Sequence, residues 1–385
     1  MACRSVYLDH NATTPCDERV VEAMMPYFSR DYGNASSQHL LGRHARAAID
    51  QAREQVAELV SAHPTQVVFT SGGTEANNMI IAGQNPAAGV GRMAVSAIEH
   101  ASLLAPARQM ARYGWTVEMV PVDQCGRLDV EEYQAALQRQ PRLVSVMLAN
   151  NETGVIQDVA SLARLAREAG VIFHTDAVQA LGKVEVDFPA LGAHLMTLSS
   201  HKIYGPKGCG ALVIDKAVDL SPLLCGGGQE KGRRAGTENV AAIVGFGKAA
   251  EIAKRELAER NAQLLRLRNG LEQGLQRLPG VTLFSSAPNR LPNTVFFAVE
   301  KIDGETLMMN LDAAGFALSS GSACESGSGK PSHVLRAMGF ADDSAQGAIR
   351  VSFGKDNSEQ DVDDFLTALG AQIDSLRRLG SCLAV

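Results

Sequence analysis

Basic charge is scarce in this sequence, where 36 Lys and Arg stand against 42 Asp and Glu for a formal net charge of −6. With no surplus to neutralise phosphates, direct nucleic-acid or membrane-surface binding is not expected, and small molecules or proteins are the expected partners. Paired cysteines are missing too. The seven cysteines, at Cys3, Cys16, Cys125, Cys209, Cys225, Cys324 and Cys382, are odd in number and include no C-x-x-C pair. A disulfide framework is therefore excluded and a reduced, cytoplasmic setting is expected. No spacing among them and the nine histidines matches a metal-ligand pattern. No apolar run approaches the roughly 18 residues of a membrane span. The opening MACRSVYLDHNATTP lacks the apolar core of about 7 to 15 residues that marks a secretory signal, so export is not expected either.

What is present is enough apolar material for two ordinary domains, 45% of 385 residues. Between about residues 20 and 244, short β-branched runs alternate with longer helix-like ones. QVVFT (66–70), RMAVSA (92–97), WTVEMVPV (115–122), RLVSVMLA (142–149), GVIFHTDA (170–177) and CGALVI (209–214) read as strands. Strands separated by helices predict an α/β fold with a mostly parallel, helix-covered sheet. Near Lys248 the pattern changes to a long charged amphipathic stretch, 249–278, which fits a helix bridging two domains as well as a plain surface helix. LPNTVFFAV, a Gly/Ser-rich segment and GAIRVSFG come after it, predicting a smaller α+β domain. The expected division is 16–260 for the large domain, and 1–15 together with 261–385 for the small one.

In VVFTSGGTEANN a strand runs into Gly72, Gly73 and Thr74 and then a helix-like run. N–H groups freed by glycine at a helix N-terminus make a phosphate site, although a tight strand-to-helix turn would need the same glycines. In GVIFHTDAVQA, Asp176 ends a strand. Ligands of open α/β sheets bind at that edge, yet an Asp there also caps a following helix. Gln179 stands one turn further on. In LSSHKIYGPKGCG, Lys202 sits in a Ser- and Gly-rich turn beside Ser199 and His201. Together, and in this chain order, the three features are what pyridoxal 5'-phosphate requires: a cradle for its phosphate, an anion for its pyridine nitrogen and an amine for its aldehyde. His100, in SAIEHASLL, is the candidate ring to stack on that cofactor.

Nearly the whole chain resembles the NifS/IscS-type cysteine desulfurases, class V aminotransferases of the aspartate-aminotransferase fold. The likeness is carried by YLDHNATT (7–14), TSGGTE (70–75), EH (99–100), NNETG (150–154), HTDAVQ (174–179), SHKIYGPKG (200–208), RRAGTEN (233–239), SSGSAC (319–324) and IRVSFG (349–354). The resemblance implies that Gly73, Thr74, Ser199 and His201 hold the phosphate, that Asp176 pairs with the ring nitrogen and that Gln179 contacts the ring hydroxyl. It implies that Lys202 forms the Schiff base and that Thr237 reaches the phosphate site of the neighbouring subunit in a homodimer. Asn151 and Arg350 would grip the substrate carboxylate, a task suited to the planar fork of Arg350.

The implied reaction converts L-cysteine to L-alanine. Lys202 removes the Cα proton, His100 shuttles protons, and the thiolate of Cys324 attacks the substrate sulfur to become a persulfide. What deprotonates Cys324 is left open by the sequence. The expected sulfur-acceptor protein is an iron–sulfur scaffold. A tRNA- or DNA-thiolation system, a selenocysteine lyase and another pyridoxal-phosphate carbon–sulfur lyase are the alternatives. In SSGSACESGSGKPSH (319–333), Cys324 stands among serines and glycines, a composition suited to a segment that swings between cofactor and acceptor. Glu325 departs from the family's usual small polar residue and is expected to raise the thiol pKa. His10 and Ser200 are further departures.

Overall fold

The computed structural model describes residues 5–84, 89–286, 289–321 and 331–383. Among these, seven strands form one sheet in the order Val67–Thr70, Gly210–Ile214, Leu195–Ser199, Ile172–Asp176, Leu143–Ser145, Arg92–Ser96, Thr116–Val120. Neighbours run parallel except around Gly210–Ile214, which is antiparallel to both strands it touches. Alternate side chains enter two different cores. Val67, Phe69, Ala94 and Met196 join Ile49, Phe173 and Phe246 on one face, while Val68, Met93, Val95 and Leu195 join Ile80 and Leu103 on the other. Both faces are covered along most of the sheet, as the predicted helix-covered sheet requires, and the edge strand Thr116–Val120 is the more exposed member.

The run 142–149 is a shorter strand than predicted. Its ladder stops at Ser145, although Val146 and Leu148 still donate to the carbonyls of His174 and Asp176 at 3.0 and 2.9 Å. Asn150 then turns the chain out of the sheet, its Oδ1 accepting the N–H groups of Glu152 and Thr153, both at 2.9 Å.

Val240–Leu275 is one helix of 36 residues. Its first half gives Ile243, Phe246 and Ala250 to the large-sheet core, and its second half gives Leu264, Leu267, Leu271 and Leu275 to a separate core. Burying one leucine contributes about 1.5–3 kcal/mol, so the helix is clamped at both ends and the surface-helix reading is excluded. The second core lies against a four-stranded antiparallel sheet in the order Ser319–Ser320, Ala348–Ser352, Thr294–Val299, Val281–Leu283. Val295, Phe297, Ile349 and Val351 face it, whereas Phe296 and Ala298 pack with Ile98 and Met147 of the large-sheet side.

The N-terminal arm binds the two parts together. Val6–Tyr7 pairs in parallel with Phe316–Ala317, and Leu8 enters the second core. His10 fits because its buried ring packs edge-on to Tyr7 at 4.9 Å and covers Gly354, where an added Cβ would collide with the imidazole. No helix among the described residues is long and apolar enough to cross a membrane.

Candidate active site

The ends of three elements meet at one edge of the large sheet. The strand Ile172–Asp176 delivers Asp176, the turn Ser200–Lys202 after Leu195–Ser199 delivers His201 and Lys202, and Gly73 opens the helix Gly73–Ala82. With Thr74, His100, Asn151, Gln179, Ser199 and Arg350 they line one cavity of about 330 Å³. Thr237 is not among them. It is exposed and lines a different cleft, beside Ser71 and Gly208. Cys324 and Glu325 lie outside the described residues.

The glycine turn is tight for a reason visible in its neighbour. A Cβ on Gly210 would come within 2.7 Å of Gly72 Cα and 2.8 Å of the Leu198 carbonyl. The first amides of the helix that begins at Gly73 have no intrahelical acceptor. Burial tends to raise the Glu75 carboxyl in that first turn, but Arg234 at 2.8 Å and the N–H of Ser71 at 2.7 Å hold it below its ordinary range.

Asp176 accepts from the N–H of Val178 at 3.0 Å and from Asn77 Nδ2 at 2.8 Å. The chain continues beyond it as a series of turns, so it caps no helix. Lys202 Nζ rests 2.6 Å from the main-chain oxygens of both Asn11 and Ala12. His201 Nδ1 lies 3.0 Å from Thr13 Oγ1, and burial, helped by Lys202 and Lys207, pushes the imidazole down to about 4. It is neutral at pH 7. Arg350 donates to Asp9 Oδ1 at 2.7 Å and to the carbonyl of Asn151 at 3.2 Å. Its Nε is buried with no partner among the described residues.

Residues 6–365 match the family model Aminotransferase class-V. A cysteine desulfurase of Bradyrhizobium diazoefficiens is 45% identical over 374 residues, covering 97% of this chain and 95% of the relative. The cysteine desulfurase NifS of Azotobacter vinelandii is 42% identical over 377 residues, covering 97% and 94%. The chain belongs to the cysteine desulfurases of this family. A solved NifS-like protein superposes on it with a TM-score of 0.90 at 37% identity, over 96% of this chain and 99% of that one.

Cysteine desulfurases are pyridoxal-phosphate enzymes, and the cavity of this one fits the group. It offers a glycine-opened helix N-terminus for a phosphate, the Asp176 carboxylate for a protonated ring and the Lys202 amine for an aldehyde, all on the lining of one cavity. Arg350 lines the same cavity, its guanidinium paired with Asp9 at 2.7 Å.

Two residues of this desulfurase escaped the sequence reading. Lys183 is buried, and its Nζ donates to Asn11 Oδ1 and Gln179 Oε1, both at 2.8 Å. Burial above all, then the nearby Lys202 and Arg350, press its pKa well below the ordinary lysine value. The amine thus meets two side-chain acceptors inside the fold. Asn11 is the hub. Its carbonyl takes Gln179 Nε2 at 3.0 Å as well as Lys202, and its Nδ2 reaches Thr294 Oγ1 at 2.9 Å and the Asn151 carbonyl at 3.1 Å. The available signals were the position of Asn11 inside YLDHNATT and the spacing of Lys183 four residues after Gln179.

Proposed function

We propose that this desulfurase moves the sulfur of L-cysteine onto Cys324 as a persulfide, releases L-alanine and hands the sulfur to an iron–sulfur scaffold protein. The observation that carries this reading is the single cavity in which Asp176, Lys202, His100 and a buried arginine surround a glycine-opened helix end. Bound pyridoxal phosphate supplies the electron sink that makes the substrate Cα–H acidic. Gly73, Thr74, Ser199 and His201 hold its phosphate, Asp176 its ring nitrogen, Gln179 its ring hydroxyl and Lys202 its aldehyde carbon. Thr237, which lies outside its own subunit's cavity, serves the cavity of a second copy.

Arg350, braced by Asp9, and Asn151 orient the substrate carboxylate. Lys202 then takes the Cα proton. In the transfer step the substrate Cβ–S bond breaks as an S–S bond to Cys324 forms, and Cβ gains a proton. L-cysteine and the Cys324 thiol become L-alanine and the Cys324 persulfide with no outside oxidant. The residues flanking the cysteine segment support its access. Ser319 pairs with Arg350, Ser332 Oγ donates to Glu152, and His333 Nε2 lies 3.1 Å from the Glu99 carbonyl, next to His100.

A homodimer is supported by the apolar side chains exposed between Val21 and Leu40, where Met25, Phe28 and Tyr32 are 58%, 64% and 68% accessible. The core that Leu8, Leu264, Leu271, Phe297 and Val351 share, built wholly from 1–15 and 261–385, supports the division into 16–260 and 1–15 with 261–385. A reduced cytoplasmic setting suits a chain whose described cysteines are all free.

The test is Cys324→Ala. The variant should keep the visible absorbance of bound cofactor and lose alanine formation. Full alanine production by that variant would sink the persulfide mechanism.

A further inference from the structure

Asp176 and His100 are joined through two side chains that the reaction above does not use. Asn77, fully buried on the helix Gly73–Ala82, donates from Nδ2 to Asp176 Oδ2 at 2.8 Å and to Ser102 Oγ at 2.9 Å. Ser102 Oγ lies 2.7 Å from His100 Nδ1, and the N–H of Ser102 donates to the same Nδ1 at 3.1 Å. The direction of every bond is set by the first. A carboxylate only accepts, so the amide NH₂ must face Asp176. The flipped amide would set Asn77 Oδ1 against the carboxylate, and the observed orientation holds even though that oxygen is buried without a partner among the described residues. The second amide hydrogen goes to Ser102 Oγ, whose own hydrogen is left for His100. Nδ1 thus receives two donors and carries no proton, so the neutral ring bears its proton on Nε2.

Resting on the persulfide role proposed above for Cys324 and on the place of His100 in the same cavity, we propose that Asn77 and Ser102 are positioning residues that fix His100 as its Nε2–H tautomer, so that the imidazole meets the reacting sulfur as a hydrogen-bond donor rather than as the proton shuttle the sequence suggested. A ring in this state cannot take the Cys324 proton at Nε2. It stabilises a sulfur anion by donating to it, and the thiol proton leaves by another route. The ring is also neutral at working pH. Burial, with Lys202, His333 and Arg350, pushes it down, while Asp176 pushes the other way.

The test uses the cofactor-loaded enzyme labelled with ¹⁵N-histidine, in which the His100 signals are those lost in His100→Asn. Long-range proton–nitrogen spectra of the wild type should show a bare Nδ1 and a protonated Nε2 from about pH 7 to about pH 8. Ser102→Ala removes the hydroxyl donor that favours the neutral ring. Its His100 titration midpoint should rise by about half to one pH unit, and the acidic limb of kcat/KM should move with it. Asn77→Leu should raise the midpoint in the same direction, because the serine hydroxyl is no longer held toward Nδ1. Ser102→Thr keeps the hydroxyl and should restore both readouts. A wild-type proton on Nδ1, or an unmoved midpoint in Ser102→Ala, overturns the proposal. Cys324→Ala in the same experiment should lose alanine formation with the His100 spectrum unchanged. Alanine formation by that variant would refute the persulfide reading while leaving the tautomer assignment intact.

Discussion

Replacing Lys183 with methionine keeps the side-chain stem and removes the buried amine. Two oxygens lose a donor. Asn11 Oδ1 retains Asn293 Nδ2 at 3.0 Å, whereas Gln179 Oε1 keeps no other hydrogen bond among the described residues. One buried acceptor left unmade costs about 1–3 kcal/mol. Against that loss stands a gain whose size depends on pH. The folded protein holds Lys183 well below its ordinary pKa, so at any pH between the folded and unfolded pKa values folding must strip a proton that the unfolded chain keeps. Where the unfolded state binds one proton more, wild-type stability rises by about 1.4 kcal/mol per pH unit until the unfolded lysine itself titrates near about 10.4. A methionine side chain has no proton to lose, so the Lys183→Met variant lacks this slope. From neutral pH up to about pH 10 the wild type should therefore gain stability relative to Lys183→Met, by at most about 1.4 kcal/mol per pH unit. The assay is urea unfolding of both proteins at matched protein and cofactor concentrations across that range. Parallel pH dependences would refute the reasoning, because they would mean that Lys183 stays charged in the fold.

Arg350→Lys exchanges a fork that reaches Asp9, the Asn151 carbonyl and the cavity for a point charge that cannot serve all three. Losing one charged hydrogen bond to the substrate, about 1.5–3 kcal/mol, should raise KM for L-cysteine about 10- to 150-fold with a smaller change in kcat. An unchanged KM would remove Arg350 from the substrate site. Asp17 is held below the ordinary carboxylate range chiefly by Arg19 at 2.8 Å, against the effect of burial and with the help of Lys355 at 2.9 Å. A depressed carboxyl contributes stability above its unfolded pKa and loses it as pH falls, so Asp17→Asn should be the less stable protein at pH 7. The two urea midpoints should converge as pH drops below about 4; a gap that persists in acid would contradict the assignment.

The apolar runs located the large sheet within a residue or two because both its faces are covered, so burial and strand coincide in most of its members. They diverge at 146–149. Val146, Met147, Leu148 and Ala149 are buried, and their apolarity extended the predicted strand, but Asn150 governs the chain there and the ladder has already ended. Asp176, Lys202 and Gly73 were legible for a related reason. Each stands at the end of its own element, and an element's end is written in the residues beside it.

The amides and the second lysine are different. Asn77 meets Asp176 across 99 positions and Asn11 meets Lys183 across 172, and nothing in the neighbourhood of an asparagine announces a partner so distant. Thr237 was legible only through its motif, and the structure sets it in another cleft. That is where a residue would stand if its work were done in a second copy.

Asn11 also shows why the N-terminal arm is buried rather than loose. Its N–H donates to Ser352 Oγ at 2.9 Å and its side chain meets Asn293 and Thr294, all at the edge of the small sheet. On the other side its carbonyl is one of the two oxygens that receive Lys202. A shift of the small sheet therefore moves an acceptor of the Lys202 amine. The same holds on the substrate side, where Arg350 lies on the small sheet and reaches Asn151 of the large one. Lys202 and Arg350 are fixed to each other through Asn11, Asn151 and Ser352 rather than through the chain that separates them. The relative position of the Lys202 amine and the Arg350 guanidinium thus depends on these buried polar contacts, together with the apolar contact of Phe296 and Ala298 with Ile98 and Met147.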